Sequence, residues 1–350
     1  MMKETNPEKI RNIVVLRTDR IGEVLLSTPV IDSLKTKFPK AEVSFVTSAY
    51  SEGVVSNRED LKEVLIFSTI AGKSSLVKAL FLSQKLRNRN FDLAVVLNPH
   101  KMLHLAIFLA GIPVRVGFDR KWGALLNRKI KDKRDEGKTH EVNYNLELLE
   151  TIGIRERDIP PSITVPDEDR DFFEILFAKY EIDWDRKIVV ISTGTSNPAK
   201  QWPIENFTEL IRRLVSSADI NIVLIGEKGE RAVCEKIISD VGRKRVFDLA
   251  GLLTVSQLAG VFKWADLVIT NDNGSMHIAA ALGKKVVAFF GRNIPGVSPV
   301  RWSPFGKGHV IFHKDPGCSP CYDRKCPYNF KCLRSITPEE VFEAVKKALK

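Results

Sequence analysis

The stretch Asp266-Leu-Val-Ile-Thr-Asn-Asp-Asn-Gly-Ser-Met-His-Ile-Ala-Ala-Ala-Leu-Gly-Lys-Lys-Val-Val-Ala-Phe-Phe-Gly291 reads as a buried strand, a polar turn, a short helix and a second buried strand. Leu267 to Ile269 and Val286 to Phe290 are short apolar runs rich in β-branched and aromatic residues, the composition of parallel strands covered on both faces. Between them, Asp272, Asn273, Gly274 and Ser275 can cap a helix, and Gly274 has no side chain to hold a ligand away from the backbone. A helix N-terminus presents free N–H groups and a partial positive charge, so a diphosphate is the natural guest of this turn.

The same alternation extends in both directions. Strands are expected at residues 12–17, 42–47, 63–67, 92–97 and 115–118, with helices up to Phe38, near 75–87, near 102–110 and from about 140 to 152. Ile159-Pro-Pro-Ser-Ile-Thr-Val-Pro166 then reads as an extended linker, because proline removes donors and blocks helix. A second series follows, with strands at 187–192, 221–225, 246–249, 267–270 and 285–290 and helices from 204, near 231–238, near 255–262 and from 275. The expectation is therefore α/β: a Rossmann-like domain at 1–160, a second at 167–335, and a C-terminal helix at 336–350 opened by Thr337 and Pro338. Doubly wound domains bind ligands at the carboxyl ends of their strands. The loops to search are 18–22, 98–101, 193–202, 226–229 and 271–275.

With 44% hydrophobic and 28% charged residues over 350 positions, the chain is globular and long enough for two cores. The longest apolar run, Met102 to Val114, contains His104 and falls short of the roughly 18–20 residues of a membrane span. Residues 1–9 lack the apolar core of a secretory signal, so a cytoplasmic protein is expected. A net charge of +11, heavier in the N-terminal half, points to an anionic partner. The runs Lys85-Leu-Arg-Asn-Arg89 and Arg128-Lys-Ile-Lys-Asp-Lys-Arg134 could meet phosphates or form solvated faces. Nucleic acid is disfavoured as that partner, since the basic residues spread over both halves without interleaved aromatics. Cys318, Cys321, Cys326 and Cys332 are spaced somewhat like a metal site, though not in a standard zinc pattern, and compete with a reading as free thiols. Cys234, inside a helical pattern, reads as a small core residue.

In the first loop, Asp19 and Glu23 flank Gly22, and a carboxylate at a helix start would stay ionised and suit a general base; the alternative is simple complementation of the helix dipole. The loop Ser192-Thr-Gly-Thr-Ser-Asn-Pro-Ala-Lys-Gln-Trp-Pro203 offers hydroxyls at Thr195 and Ser196 and an ammonium at Lys200, groups that suit a diphosphate; otherwise Lys200 is solvated and Trp202 a packing anchor. His277 alone reads equally as a satisfied, partly buried residue. Gly72-Lys73-Ser74 imitates the end of a P-loop, but the glycine that motif needs at position 67 is Phe67. Neither half has a Gly-x-Gly-x-x-Gly after its first strand, which argues against a dinucleotide dehydrogenase.

Three segments taken together resemble the heptosyltransferase family of lipopolysaccharide core assembly, glycosyltransferase family 9: residues 17–29, Pro198-Ala-Lys-Gln-Trp-Pro203, and Asn271-Asp-Asn-Gly-Ser-Met-His-Ile-Ala-Ala-Ala281. Arg115-Val-Gly-Phe118, Leu125-Leu-Asn127, His140-Glu-Val-Asn143 and the cysteine-rich tail agree more weakly. The resemblance implies an inverting, metal-independent glycosyltransferase without cofactor, its two Rossmann-like domains facing each other across a cleft in the GT-B architecture. It implies ADP-L-glycero-β-D-manno-heptose as donor, held by the C-terminal domain, and a Kdo- or heptose-bearing lipid A-linked core as acceptor, held by the N-terminal one. The family's base falls on Glu23, with Asp19 as the alternative; family members usually carry aspartate there, so glutamate is a departure. Its phosphate-binding lysine falls on Lys200, its sugar-contacting aspartate on Asp272, its phosphate-binding glycine on Gly274 and its histidine on His277. Thr195, Ser196, Asn273 and Glu227 complete the expected donor side, and Arg20, Arg120 and Lys121 are the acceptor candidates. The implied location is the cytoplasmic face of the inner membrane, with the Lys85–Arg89 face toward the bilayer. The rival readings are a related transferase with another nucleotide-sugar donor, and a non-catalytic protein that binds nucleotide sugar or anionic glycolipid.

Overall fold

The computed structural model describes residues 7–67, 75–183, 185–217, 219–318 and 320–350. The P-loop imitation at Gly72-Lys73-Ser74 and the first six residues of the N-terminus lie outside the described residues. The chain divides into two compact units, Met1–Thr164 and Val165–Lys350.

The first unit runs β1 (Asn12–Leu16), α1 (Ile21–Leu25), α2 (Thr28–Lys37), β2 (Glu42–Thr47), β3 (Glu63–Ile66), α3 (Ser75–Arg87), β4 (Leu93–Val96), α4 (Lys101–Leu109), β5 (Val114–Phe118), β6 (Arg128–Ile130) and α5 (Glu141–Glu147). The strands form one parallel sheet in the order β3-β2-β1-β4-β5-β6. β4, and β1 after Asn12, are apolar, central and covered on both faces. The helix expected from the first loop to Phe38 is broken at Leu26 and Ser27, because Pro29 sits in the first turn of α2 and has no N–H for a continuous ladder. β6 departs from the sequence expectation: the basic run at 128–134 is an edge strand followed by a turn that buries Arg134. A run of charges cannot reveal from composition which of its members finds a partner inside.

The second unit runs α6 (Asp167–Lys179), β7 (Lys187–Ser192), α7 (Ile204–Ser217), β8 (Ile220–Ile225), α8 (Arg231–Val241), β9 (Val246–Asp248), α9 (Val255–Trp264), β10 (Leu267–Asn271), α10 (Gly274–Ala281), β11 (Val286–Phe290), α11 (Pro299–Trp302), β12 (Val310–His313), α12 (Lys331–Arg334) and α13 (Pro338–Ala348). Its parallel sheet has the order β12-β11-β10-β7-β8-β9, the same winding as the first. α7 buries Phe207, Leu210, Ile211 and Leu214, the i, i+3, i+4, i+7 stripe of an amphipathic helix on a sheet. α13 is opened by Pro338 and by a capping box in which Thr337 and Glu340 satisfy each other's backbone N–H, and it buries Val341 and Val345. Trp202, fully buried, stacks on Phe289 with ring centroids 4.3 Å apart, and its indole N–H donates to Ile336 O at 3.0 Å. No described helix is long and apolar enough to cross a membrane.

Each sheet reverses its strand order once, between β1 and β4 in the first unit and between β7 and β10 in the second. At such a point the loops leaving neighbouring strands run in opposite directions and open a crevice.

Candidate functional site

At the first reversal stand the loop after β1, with Arg17, Asp19 and Glu23, and the loop after β4, with Leu97, Asn98 and His100. Arg17 is 2% exposed. Its guanidinium donates to Asp19 Oδ1 at 2.7 Å, to Glu141 Oε1 at 3.2 Å, and to Leu97 O and Asn145 Oδ1, each at 3.3 Å. Burial works against its charge, but Asp19, Glu141 and Glu23 around it outweigh burial and raise its pKa. A buried arginine with this many acceptors is a rigid anchor. Glu141, itself fully buried, also faces Arg134 Nη1 at 3.7 Å. Arg134 clamps Asp132 through two bonds of 2.9 Å and lies 4.1 Å over the Phe118 ring. Despite the cost of its burial, the hydrogen bonds and charge of Arg134 hold Asp132 at about 2.

Glu23 sits in the first turn of α1, half-buried. Burial and then the neighbouring Asp19 charge push its pKa above the usual glutamate value, against the pull of Arg17. α1 has only five residues, so its dipole is small beside this burial. His100 caps α4 by accepting from Met102 N at 3.2 Å, and burial followed by the Lys121 charge lowers its pKa. Of the proposed acceptor contacts, Arg20 and Lys121 are exposed, while Arg120 is already paired with Asp132 and Asp135 at 3.3 and 3.4 Å.

At the second reversal, the loop after β7 meets the head of α10. Asn271, at the end of β10 and fully buried, accepts from Trp202 N at 3.0 Å and donates to Thr193 O at 2.8 Å, pinning that loop at both ends. Asn273 caps α10, accepting from Met276 N, and its amide donates to Ser192 Oγ and Gly194 O. The loop has no room to spare: a Cβ on Gly291 would lie 2.2 Å from Ala199 O, and one on Gly194 would fall on the Glu230 carboxylate. Lys200 then reaches Asp272, with Nζ 2.9 Å from Oδ2 and 3.2 Å from the backbone carbonyl. Arg292 approaches the same Oδ2 at 3.0 Å. Lys200 and Arg292 converge on Asp272 before a helix N-terminus, and Arg292 Nε also lies 4.0 Å from Asp323 Oδ1; the two cations and the free N–H groups of the helix start are donors suited to an anion.

The structure thus brings Lys200, Asp272, Asn273 and Gly274 together, and places Thr195, half-buried, and Ser196, exposed, on the same loop. His277 is buried within α10, its ring 6.4 Å from that of Trp302. Glu227 is exposed ahead of the turn at 228–230, its backbone N–H donating to Glu230 Oε2 at 2.8 Å. Four participants escaped the sequence reading: Arg17, Glu141 and Arg134 in the first unit, and Arg292 in the second. Arg292 follows β11 by two residues and could have been found by extending the strand-end rule to that loop. Among the described residues no group of three or more His, Cys, Asp or Glu is placed to hold a metal ion. Cys318, Cys321, Cys326 and Cys332 are half-buried free thiols. Cys234 is buried and its thiol is pushed up to about 12 by burial first.

The model of glycosyltransferase family 9 (heptosyltransferase) matches residues 79–331. Lipopolysaccharide heptosyltransferase 2 of Escherichia coli K12 is 24% identical over 300 residues, covering 82% of this chain and 84% of that protein. Among solved structures, the glycosyl transferase family 9 protein of Veillonella parvula superposes with a TM-score of 0.85 at 18% identity, over 100% of this chain and 99% of that one. Escherichia coli ADP-heptose lps heptosyltransferase II superposes with a TM-score of 0.80 at 22% identity, over 97% and 98%. The two six-stranded parallel sheets are those of the GT-B fold. The chain belongs to glycosyltransferase family 9, the heptosyltransferases.

Proposed function

We propose that this chain transfers heptose from ADP-L-glycero-β-D-manno-heptose to an inner-core sugar, Kdo or heptose, of a lipid A-linked acceptor at the cytoplasmic face of the inner membrane. The observation that carries the reading is the convergence of Lys200 and Arg292 on Asp272 at the head of α10. The N-terminal domain is the proposed acceptor side and the C-terminal domain the donor side. Relatives named as lipopolysaccharide and ADP-heptose heptosyltransferases support the choice of substrates.

The chemistry follows from the residues. Glu23, more basic than an ordinary glutamate, takes the proton of the acceptor hydroxyl. The acceptor oxygen forms its bond to the anomeric carbon on the face opposite ADP, the bond from that carbon to the diphosphate oxygen breaks, and one displacement inverts the configuration. Lys200, Arg292 and the amides at Asn273 and Gly274 stabilise the charge that grows on the departing diphosphate. These fixed cations do the work a divalent ion does elsewhere, so transfer proceeds without one. Both cations engage Oδ2 of Asp272, and in this reading its Oδ1 accepts from a sugar hydroxyl.

The test is ADP release from ADP-heptose with acceptors of different inner cores, in the parent, Glu23→Gln and Asp19→Asn. Glu23→Gln is expected to lose roughly 10²–10⁴-fold in kcat while still binding ADP. Turnover equal to the parent would remove Glu23 as the base, and ADP-sugar binding with no release on any acceptor would mark a non-catalytic binding protein. A chelator is expected to leave the rate unchanged.

A further inference from the structure

We propose that the outer face of α3 is a docking surface for an anionic lipid bilayer, with Leu76, Leu80 and Phe81 entering the boundary between headgroups and acyl chains. The inner face of α3 is accounted for: Ala79, Leu82 and Leu86 pack with Leu103, Ala106 and Ile107 of α4 on the sheet. On the opposite face Leu76, Leu80 and Phe81 are 53%, 48% and 56% exposed. Among the described residues no other helix presents more than one large apolar side chain to this extent. Three such residues within two turns of one helix are a patch to be covered, unlike the single exposed apolar residues common on any surface.

Charge chooses the occupant. No aspartate or glutamate occurs from Ser68 to Phe91, nor from Leu93 to Phe118, so neither α3 nor α4 carries an acid. Lys85 and Arg87 are exposed in the last turn of α3, Lys78 is half-buried beside the apolar positions, and Lys101 is exposed at the start of α4. Arg87 also donates to Leu109 O at 2.6 Å, tying the C-terminal ends of the two helices together. Exposed apolar side chains rimmed by lysine and arginine without acids are the pattern of a helix lying in an anionic interface. A second copy of this chain is a poor occupant, because it would bring one basic face against another. The bilayer as occupant rests on the proposed lipid-linked acceptor, which must be met at a membrane surface.

The experiment is flotation of the full chain with vesicles of phosphatidylcholine alone and of phosphatidylcholine mixed with phosphatidylglycerol. It compares the parent, the double variant Leu80→Ser/Phe81→Ser, and the double variant Lys78→Glu/Lys85→Glu. The parent is expected to bind the mixed vesicles, more weakly at high salt, and each double variant to lose about tenfold or more. Thermal melts and transfer to a soluble, delipidated core oligosaccharide are expected to match the parent in both variants. If vesicle binding falls as expected but no form transfers heptose to any acceptor, the docking surface stands and the transferase reading fails. Parent binding that is absent, indifferent to phosphatidylglycerol, or unchanged in Leu80→Ser/Phe81→Ser overturns the proposal. So does a concentration-dependent dimer of the parent, formed without vesicles and lost in that variant.

Discussion

At the residue scale, a carboxylate and the charges around it set the pH behaviour. Glu23 is raised by burial and by Asp19, so the acid limb of kcat/KM should lie above the ordinary glutamate range, with activity rising as pH increases through it. Replacing Asp19 by Asn removes a like charge and frees Arg17 to pull harder, so this limb should move to lower pH; a move upward would refute the assignment. Asp132 presents the opposite sign. Its folded pKa, about 2, lies below the ordinary aspartate value, so its contribution is complete above the ordinary range and is lost as pH falls toward 2. Its side chain is 4% exposed, so the stability involved is on the order of 2 kcal/mol. Asp132→Asn should therefore unfold more readily than the parent in urea at pH 7, and the gap should close in acid.

At the scale of elements, the proposed donor side is rigid. The loop after β7 is held by Asn271, by the stacking of Trp202 on Phe289, and by the contact of Gly291 with the Ala199 carbonyl. Gly291→Ala would drive a methyl into backbone, which cannot rotate away as a side chain could. An overpacking cost of about 1–3 kcal/mol is expected, with a larger proportional loss in ADP affinity than in acceptor affinity. Measuring the two affinities separately decides whether the loop or the whole domain has been disturbed. Trp202→Ala, which leaves a cavity and takes away one of the two donors to the Ile336 carbonyl, should cost about 3–5 kcal/mol. Gly194 has a different neighbour: the Glu230 carboxylate is the end of a flexible side chain and can move, so Gly194→Ala is expected to be milder than Gly291→Ala.

At the scale of the whole molecule, two units with the same strand order carry different chemistry at equivalent places. The first puts an acidic cluster around a buried arginine, the second a pair of cations around one aspartate. A nucleotide that binds the native second unit and not its unfolded form stabilises it by about 2.7 kcal/mol at a hundredfold excess over Kd. ADP should accordingly raise the unfolding temperature of that unit in calorimetry. Lys200→Ala is expected to shrink the shift sharply, while Glu23→Gln should preserve it. An equal shift in parent and Lys200→Ala would detach ADP from this site.

Much of this architecture is local and could be read along the chain. Runs such as Val286 to Phe290 declare buried parallel strands because their periodicity depends on a few neighbouring residues, and Asn273 or Thr337 declares a helix start for the same reason. The strand-end rule points to the loops that hold Lys200 and Asp272 and to the one that adjoins Glu23. Folding decided their partners. Lys200 and Asp272 are 72 positions apart and Arg17 and Glu141 are 124 apart, and each pair meets only because the winding of the sheet sets particular strand ends side by side. The same winding turned Arg134 inward from a run that looked solvated, and added Arg292 to a site that showed a single lysine. Secondary structure follows from interactions a few residues long, whereas the charge and acidity of a site are set by groups that only the tertiary fold makes neighbours.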